Sequence, residues 1–276
     1  MKALFDAVAE KYDSEFTQSQ IGKAQRKIVW DYLERILSEK KELKILELNC
    51  GTGEDAIWFA KKGHLVTATD QSEKMLEVTK RKVLQFNLAE KIKTEKIDLT
   101  QIKELNLIEK YDLIFSNFGG INCISFENLS KLTSAFGRLL TPTGRLIMVI
   151  MPTFCLWEII YFLLKLNMNN AFRRSSTRGA KFNINGAEIT IEYYTPTLVK
   201  KIFSRNFELV GLKPVGFFIP PSYLENFFSS KRRMFDFITK LESIVTDWTL
   251  LSNYSDHYLI DLKLNINGYE VFHETK

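Results

Sequence analysis

The segment 45–55, which reads ILELNCGTGED, decides the fold. An apolar strand runs into the turn Asn49–Gly53, and a helical pattern over 54–62 follows. Glycine permits a positive φ and lets the backbone approach a ligand closely, and the free N–H groups at the start of a helix attract anions. Gly51 and Gly53 also fit an ordinary strand-to-helix turn, so the rest of the chain must support a ligand-binding interpretation.

Strands and helices alternate around this turn with short connections, which predicts a parallel sheet with helices on both faces. The strand patterns lie at 44–48, 64–69, 91–97, 111–116 and 145–151, and two more follow near 207–219 and 256–265. We therefore expect an α/β, Rossmann-like fold with a seven-stranded, mostly parallel sheet. In such sheets the ligand lies beyond the carboxyl ends of the strands.

After Pro152 the pattern changes. A helix is expected over 155–168, a hairpin around Asn185-Gly186, which favour a type I′ turn, and mostly helical structure over 220–251. We expect a cap formed by insertions after the fifth and sixth strands. The predicted division is 1–152 for N-terminal helices and cofactor-binding core, 153–194 for a cap insertion, 195–219 for a core helix and strand, 220–254 for a helical cap insertion, and 255–276 for the last core strand and tail.

Asp70 follows the strand that comes after the glycine turn. A carboxylate there can accept hydrogen bonds from both ribose hydroxyls, although an aspartate at this point can also cap a helix. Together the turn and Asp70 favour a nucleoside-containing cofactor, which leaves NAD and S-adenosylmethionine. The third glycine of Gly-x-Gly-x-x-Gly is absent, since Ala56 stands there, and this argues against NAD.

At this point the chain resembles the class I S-adenosylmethionine-dependent methyltransferases, in particular the small-molecule branch called methyltransferase type 11. The resemblance covers the first 151 residues well. Segment 45–55 is similar to the first family motif but has Asn49 where the family usually has glycine. Segments 69–76, 96–99 and 112–118 are similar to the second, third and fourth motifs, and 5–13 resembles the segment that folds over the cofactor.

The resemblance implies S-adenosyl-L-methionine as the cofactor and S-adenosyl-L-homocysteine as the product. In that family Asp70 would bind the ribose, Asp98 would accept the adenine amino group, and Tyr12 would lie near the cofactor carboxylate. The cofactor-binding residues that the resemblance implies are Tyr12, Glu47, Asn49, Cys50, Gly51, Gly53, Asp70, Gln71, Met75, Asp98, Leu99, Asn117 and Phe118.

The acceptor is harder to predict, because methyl transfer needs mainly proximity and alignment. The sequence 117–120 is Asn-Phe-Gly-Gly and does not match the Asn/Asp-Pro-Pro motif of adenine-amino and glutamine-amide methyltransferases. A net charge of +5 is scattered, so no nucleic acid is expected. Aromatic residues such as Trp157 and Tyr161 suit a small, partly apolar acceptor methylated at O, N or C, although they can also close the cap's own core.

A general base is needed only when the acceptor must lose a proton. The weak candidates are Tyr161 and Tyr193 in the cap and His257 at the start of the last strand. No cysteine and histidine spacing fits a metal site. The sequence gives no oligomeric state.

Other interpretations stay open at this stage. A non-catalytic cofactor-binding subunit and, less favoured, an NAD-dependent oxidoreductase are the alternatives. Three scattered cysteines favour a cytoplasmic protein, and no stable membrane insertion is expected. The clusters Arg173, Arg174, Arg178 and 231–233 are interpreted as solvated surface; a minority hypothesis is transient membrane contact through Phe154, Trp157 and the first cluster.

Overall fold

The computed structural model describes residues 2–38, 42–101, 109–176, 179–184 and 187–274. Its main sheet has seven strands in the order β3-β2-β1-β4-β5-β9-β8, and β6 pairs with β7 in a separate hairpin. Neighbours from β3 to β5 are parallel, whereas β9 is antiparallel to both β5 and β8. The strands are β1 Lys44–Leu48, β2 Leu65–Asp70, β3 Ile92–Lys96, β4 Tyr111–Ser116, β5 Leu140–Ile150, β6 Ala180–Ile184, β7 Ala187–Ile191, β8 Phe207–Val215 and β9 His257–Leu264.

Helices cover both faces of this sheet, as the alternation predicted. Leu46 and Leu48 of β1 point into one apolar cluster, and Ile45, which precedes them, points into the other. The expected Rossmann-like α/β fold is confirmed. The helices are α1 Lys2–Tyr12, continued by a π-helical turn Asp13–Thr17, then α2 Gln20–Leu37, α3 Glu54–Lys61, α4 Glu73–Gln85, α5 Phe126–Leu139, α6 Leu156–Leu164, α7 Met168–Ala171, α8 Pro196–Phe203, α9 Glu225–Phe228, α10 Arg232–Val245 and α11 Ile266–Tyr269.

The single helix predicted over 155–168 is wrong, because the chain turns after α6. Leu166 has φ +53° there, a conformation that α-helices do not contain, and α7 begins only at Met168. The strand predicted over 145–151 is longer and starts at Leu140. The turn residues Asn185 and Gly186 lie outside the described residues.

The two segments expected to form a cap contact each other. The Trp157 ring of α6 lies 6.0 Å from the Phe228 ring of α9, and the Leu156 N–H donates to the Tyr254 carbonyl at 2.9 Å. Ile21 at the start of α2 belongs to the same apolar cluster. We call the segments 153–176 and 220–254 together the cap. Within the described residues no helix is both long and apolar enough to cross a membrane.

Candidate active site

A cleft opens where β1, β2 and β4 end, at the carboxyl edge of the sheet. Twelve residues line it, and they come from α1 and from the loops that follow these strands. Many of the residues implied by the family resemblance are among them, so the tertiary structure brings separate motifs together. The lining residues are Phe5, Tyr12, Asn49, Gly51, Asp70, Gln71, Met75, Asn117, Phe118, Gly119, Gly120 and Cys123.

The glycine turn requires glycine at Gly53, which has φ +76°. A β-carbon at this position would lie 2.5 Å from Cγ2 of Thr79 on α4, well inside van der Waals contact. Thr79 also donates its hydroxyl to the Gly51 carbonyl at 2.9 Å. Close packing of the turn on α4 therefore fixes the floor of the cleft.

Asn49, which departs from the family's usual glycine, fits for a local reason. Its φ is +55°, a left-handed conformation that asparagine tolerates better than most residues. The facing residue is Gly120, where a β-carbon would lie only 2.5 Å from Cβ of Asn49. The missing side chain at Gly120 thus leaves the space that Asn49 fills, and Oδ1 of Asn49 is buried without a hydrogen-bond partner in the described part of the chain.

Asp70 is the last residue of β2, and its carboxylate is buried at the cleft. Oδ2 accepts from the Gly51 N–H at 3.0 Å and Oδ1 accepts from the Ser72 N–H at 2.8 Å. Burial raises the pKa of Asp70 to about 6, although the backbone N–H groups of Ser72, Gly51 and Gln71 oppose it. Each oxygen still has lone-pair capacity for another donor, which a ribose hydroxyl can supply.

The N-terminal helix covers the cleft. Asp6 accepts from the Ser72 hydroxyl at 2.6 Å, and Asp13 accepts from the Thr52 hydroxyl at 2.6 Å and from Lys82 at 2.9 Å. These contacts hold Tyr12 over the glycine turn, where its ring carbon Cε1 comes within 3.9 Å of the site of a Gly51 β-carbon. Burial raises the pKa of Tyr12 to about 12, so its hydroxyl stays neutral.

Five of the residues implied by the resemblance do not line the cleft: Glu47, Cys50, Gly53, Asp98 and Leu99. Glu47 lies below the turn, and burial holds its pKa well above the usual range. Its Oε2 has no hydrogen-bond partner among the described residues. Asp98 accepts from the backbone N–H and hydroxyl of Thr100, so it caps its own turn. Their part in cofactor binding stays a prediction.

A second cavity, which we call the chamber, adjoins the cleft. It measures about 550 Å³ and shares Phe5, Tyr12 and Phe118 with the cleft. Of the three residues considered as bases, Tyr193 and His257 line the chamber, whereas Tyr161 does not. The Tyr161 hydroxyl accepts from Lys165, and its ring packs against Tyr223 and Phe162.

His257 stands at the border of the two cavities. Its ring lies 5.5 Å from the Phe118 ring in an edge-to-face arrangement. The buried Nδ1 is 3.3 Å from Oδ2 of Asp256, at the outer limit of a hydrogen bond. Nε2 has no hydrogen-bond partner in the described part of the chain, so this nitrogen is available to a molecule in the chamber.

Asp256 is held as a carboxylate by its surroundings. Oδ1 accepts from Nη2 of Arg174 at 2.7 Å and Oδ2 accepts from Nε2 of Gln25 at 3.0 Å. Burial raises the pKa of Asp256, but His257 and Arg174 outweigh burial and hold the pKa well below its usual range. The carboxylate therefore stays charged next to the imidazole.

Sequence reasoning missed this charge cluster. The interpretation of Arg174 as solvated surface is wrong, because its guanidinium is buried and pairs with both Glu158 and Asp256. The residues of the cluster are far apart along the chain. Only the juxtaposition of arginines and acids on either side of the cap insertion could have drawn attention to them.

A second buried pair lies behind Phe118. Arg26 of α2 contacts Asp55 at 2.6 Å, and Asp55 also accepts from the Asn117 amide at 3.0 Å. The Arg26 guanidinium lies 5.0 Å from the Phe118 ring centroid. This pair connects α2 to the loop after β4 and fixes Phe118 in its positive φ of 44°.

Comparison with known proteins agrees with this geometry. Residues 45–144 match the family model described as a methyltransferase domain. The chain is 33% identical over 79 residues to the tRNA 5-carboxymethoxyuridine methyltransferase of Escherichia coli K12, a match that covers 28% of this chain and 30% of that enzyme. It is 29% identical over 149 residues to the demethylmenaquinone methyltransferase of Clavibacter sepedonicus, covering 53% and 56% of the two chains.

Among solved structures, the PH0226 protein of Pyrococcus horikoshii OT3 superimposes with a TM-score of 0.59 at 16% identity, covering 93% of this chain and 99% of that one. At this identity the likeness shows the fold alone. The chain spans less than a third of the E. coli enzyme, and the two curated relatives carry different acceptors in their names. The acceptor therefore has to be argued from the chamber itself.

Proposed function

We propose, from the premise that residues 45–144 form a methyltransferase domain of the class I, S-adenosylmethionine-dependent family, that this protein methylates a small, partly apolar acceptor. One observation carries the proposal. The chamber adjoins the cleft, and both share Tyr12 and Phe118. An acceptor bound in the chamber would thus lie next to a methyl donor bound in the cleft.

The cleft suits S-adenosylmethionine. The Asp70 carboxylate at the end of β2 matches a ribose diol, and the buried Oδ1 of Asn49, which lines the cleft, has no partner among the described residues and can accept from a polar end of the ligand. When bound, the cofactor supplies a methyl group that is already activated on a sulfonium. The protein has to bind the cofactor, align it with the acceptor and exclude water from the cleft. The helix α1 contributes to the exclusion of water by covering the cleft with Tyr12.

His257 fits the role of the general base. Its free Nε2 can accept the proton that an O–H or N–H acceptor loses as it is methylated, and the nearby Asp256 carboxylate stabilises the resulting imidazolium. Tyr193 lines the same chamber. Burial raises the pKa of Tyr193, so it fits a hydrogen-bond donor to the acceptor better than a base.

Aromatic and aliphatic side chains make up most of the chamber wall, including Phe16, Met151 and Tyr223. A wall of this kind suits a small molecule with an apolar body and one polar group. The two arginines at the chamber are matched by Glu158 and Asp256, so they do not form an open cationic surface for a nucleic acid. The three cysteines are unpaired, which supports a cytoplasmic site of action.

The first test is calorimetric binding of S-adenosylhomocysteine. We expect binding by the wild type and about 100-fold weaker binding by Asp70→Asn, since hydrogen bonds to a charged group contribute about 1.5–3 kcal/mol each. The matched control is Asp31→Asn, an exposed carboxylate of α2 that pairs only with Lys27 among the described residues, and it should bind as the wild type does. A wild type that does not bind contradicts the proposal.

The same preparation tests the base. Transfer from S-adenosylmethionine to a panel of small phenols, amines and carboxylic acids is counted as S-adenosylhomocysteine formed. We expect His257→Gln to keep cofactor binding within about twofold but to lose about 100-fold in transfer rate. A His257→Gln enzyme as fast as the wild type would rule out the base.

A further inference from the structure

The outer face of the cap exposes an unusual amount of apolar surface. On α6 the side chains of Leu156, Ile160, Leu163 and Leu164 are exposed at helical spacing. An amphipathic helix normally turns such a stripe toward the core. Here the opposite side of α6 already packs through Trp157 and Tyr161, so the exposed stripe is a second apolar face.

The tip of the cap adds two more apolar side chains, Leu166 and Met168. Leu166 is 91% exposed and has φ +53°, a conformation that glycine or asparagine adopts at lower cost. Neither packing nor backbone conformation calls for leucine at this position. A surface that comes into contact with the tip would explain why an apolar side chain stands there.

A parallel stripe runs along α10 and its continuation. Met234, Phe237 and Ile244 are exposed at intervals of three and seven residues, which places them on one face of α10, and the exposed Trp248 follows the end of the helix. The exposed Tyr254 follows this stretch and lies next to α6, because its carbonyl accepts from the Leu156 N–H at 2.9 Å. Large contiguous apolar surfaces of this kind mark interaction sites.

The charges around these stripes indicate what covers them. Lys165, Lys231, Arg232, Arg233 and Lys240 are all exposed on the cap. Within the described residues Arg232, Arg233 and Lys240 have no ion-pair partner. Of the cap's acids Glu158 and Glu242 are buried, and the five exposed cations outnumber the two exposed acids, Asp236 and Asp247, the second of which pairs with Lys213. A second copy of the chain would bring like charges together, whereas an anionic bilayer offers both apolar depth and opposite charge.

We propose that the outer face of the cap is a docking surface for an anionic lipid bilayer. Apolar side chains of the α6 stripe and of the tip enter the boundary between headgroups and acyl chains, and the cations of 231–233 contact anionic headgroups. Tyr223 joins this surface to the chamber, because it lines the chamber and also touches Tyr161 and Phe162 of α6. The docking surface stands independently of the acceptor proposal.

The residues of the earlier membrane hypothesis are not the ones that carry this surface. Trp157 donates its indole N–H to the Phe218 carbonyl and packs on Phe228, and Arg174 is buried in ion pairs. Arg178 lies outside the described residues. Arg173 is half-buried and pairs with Glu158, so among the described residues of that hypothesis Phe154 is the exposed one.

The test is co-sedimentation with vesicles of phosphatidylcholine alone and of phosphatidylcholine with phosphatidylglycerol in equal parts. We expect binding to the anionic vesicles that added salt weakens. The variant Leu164→Ser with Leu166→Gly should lower the partition coefficient by about tenfold or more. The control Leu84→Ser removes an equally apolar, exposed side chain from α4, away from the cap, and should bind as the wild type does.

The electrostatic part has its own pair of variants. Arg232→Gln with Arg233→Gln should weaken binding to anionic vesicles by about tenfold or more, since each basic residue near an anionic surface adds about 1 kcal/mol, whereas Lys44→Gln with Lys80→Gln, both exposed outside the cap, should not. Three results overturn the proposal: no vesicle binding, equal losses in the control variants, or a wild-type dimer in sedimentation velocity that Leu164→Ser with Leu166→Gly dissociates. Binding of S-adenosylhomocysteine, measured alongside, reports on the cleft separately.

Discussion

The sheet core and the cap distribute apolar surface differently, although both hold buried ion pairs such as Arg26–Asp55 and Arg174–Glu158. In the core, apolar side chains fill the space on both faces of the sheet, and pairs such as Arg81–Glu10 lie at the surface. In the cap, Arg174 and Glu158 are buried as a pair, while leucines of α6 face outward. The difference teaches that the core buries its apolar side chains, whereas the cap lines a cavity and leaves apolar side chains exposed.

The largest expected effect on stability comes from the buried ion pair of the cap, and it tests the difference between the cap and the core. We expect Arg174→Met to lower the free energy of unfolding by about 3–5 kcal/mol, because it leaves Glu158 and Asp256 buried without their partner. The measurement is chemical denaturation followed by tryptophan fluorescence. Trp157 of α6 lies in the cap, so the signal includes the part of the chain that loses the ion pair.

The matched change in the core is Arg81→Met, which removes an exposed cation from its pair with Glu10. Exposed pairs contribute about 0–1 kcal/mol, so this variant should be nearly as stable as the wild type. Equal losses from the two substitutions would mean that the Arg174–Glu158 pair contributes no more to the free energy of unfolding than the exposed Arg81–Glu10 pair.

The second expected effect is a pH dependence of ligand affinity that arises at Asp70 in the cleft and not in the cap. With a pKa of about 6, Asp70 in the free protein is protonated below that pH. A protonated carboxyl has lost one acceptor for the ribose. We therefore expect the affinity for S-adenosylhomocysteine to fall up to about tenfold for each unit of pH below 6, measured by calorimetry.

In Asp70→Asn this dependence should vanish, because the amide does not titrate in the range. Asp70 and Asp256 affect the pH dependence of stability with opposite signs. Asp70 has a raised pKa, so the free protein loses stability as pH rises from about 4 to about 6. Asp256 has a lowered pKa and contributes stability above its ordinary pKa, which is lost as pH falls. An affinity that stays constant down to pH 5 would contradict the assignment of Asp70.

The smallest effect concerns the tip of the cap. We expect Leu166→Gly to raise the free energy of unfolding by about 0.5 kcal/mol in solution, because glycine adopts the positive φ without the penalty that leucine carries. Leu164→Gly, two residues earlier at a helical position, should lower it by about 0.5–1 kcal/mol. Thermal unfolding measures both. A loss of stability in Leu166→Gly would show that the tip packs against the protein and not against a bilayer.

The core could be predicted well because its signals are local. The bounds of β1 and β4 agree with the sequence pattern, and Ser72, which directly follows the strand and turn at 65–71, caps α4 by accepting from the Met75 N–H. The sequence pattern implied that the turn needs glycine at Gly53. The structure explains why, since the residue has a positive φ and a β-carbon there would collide with Thr79. Strand periodicity and turn chemistry depend on neighbours in the chain, and those are visible in the sequence.

The candidate site could be predicted only in part. Asp70 and Asn117 follow strands, and position after a strand is readable. The pairing of Asn49 with Gly120 was not readable, because the two residues are remote in sequence and meet only when β1 lies next to β4. For the same reason the sequence could name His257 as a candidate base but could not show its neighbours. The structure places Asp256 and Phe118 next to it, and Arg174 next to Asp256.

By itself the sequence determined the α/β fold, the carboxyl edge that holds the cleft, and the position of Asp70 within it, because hydrophobic periodicity and glycine turns act over a few residues. Only the tertiary structure decided which cap side chains are buried and which are exposed. Arg174 and Arg232 look alike as members of basic clusters, yet one meets two buried carboxylates and the other meets solvent. Burial depends on partners far along the chain, and a linear pattern does not record them.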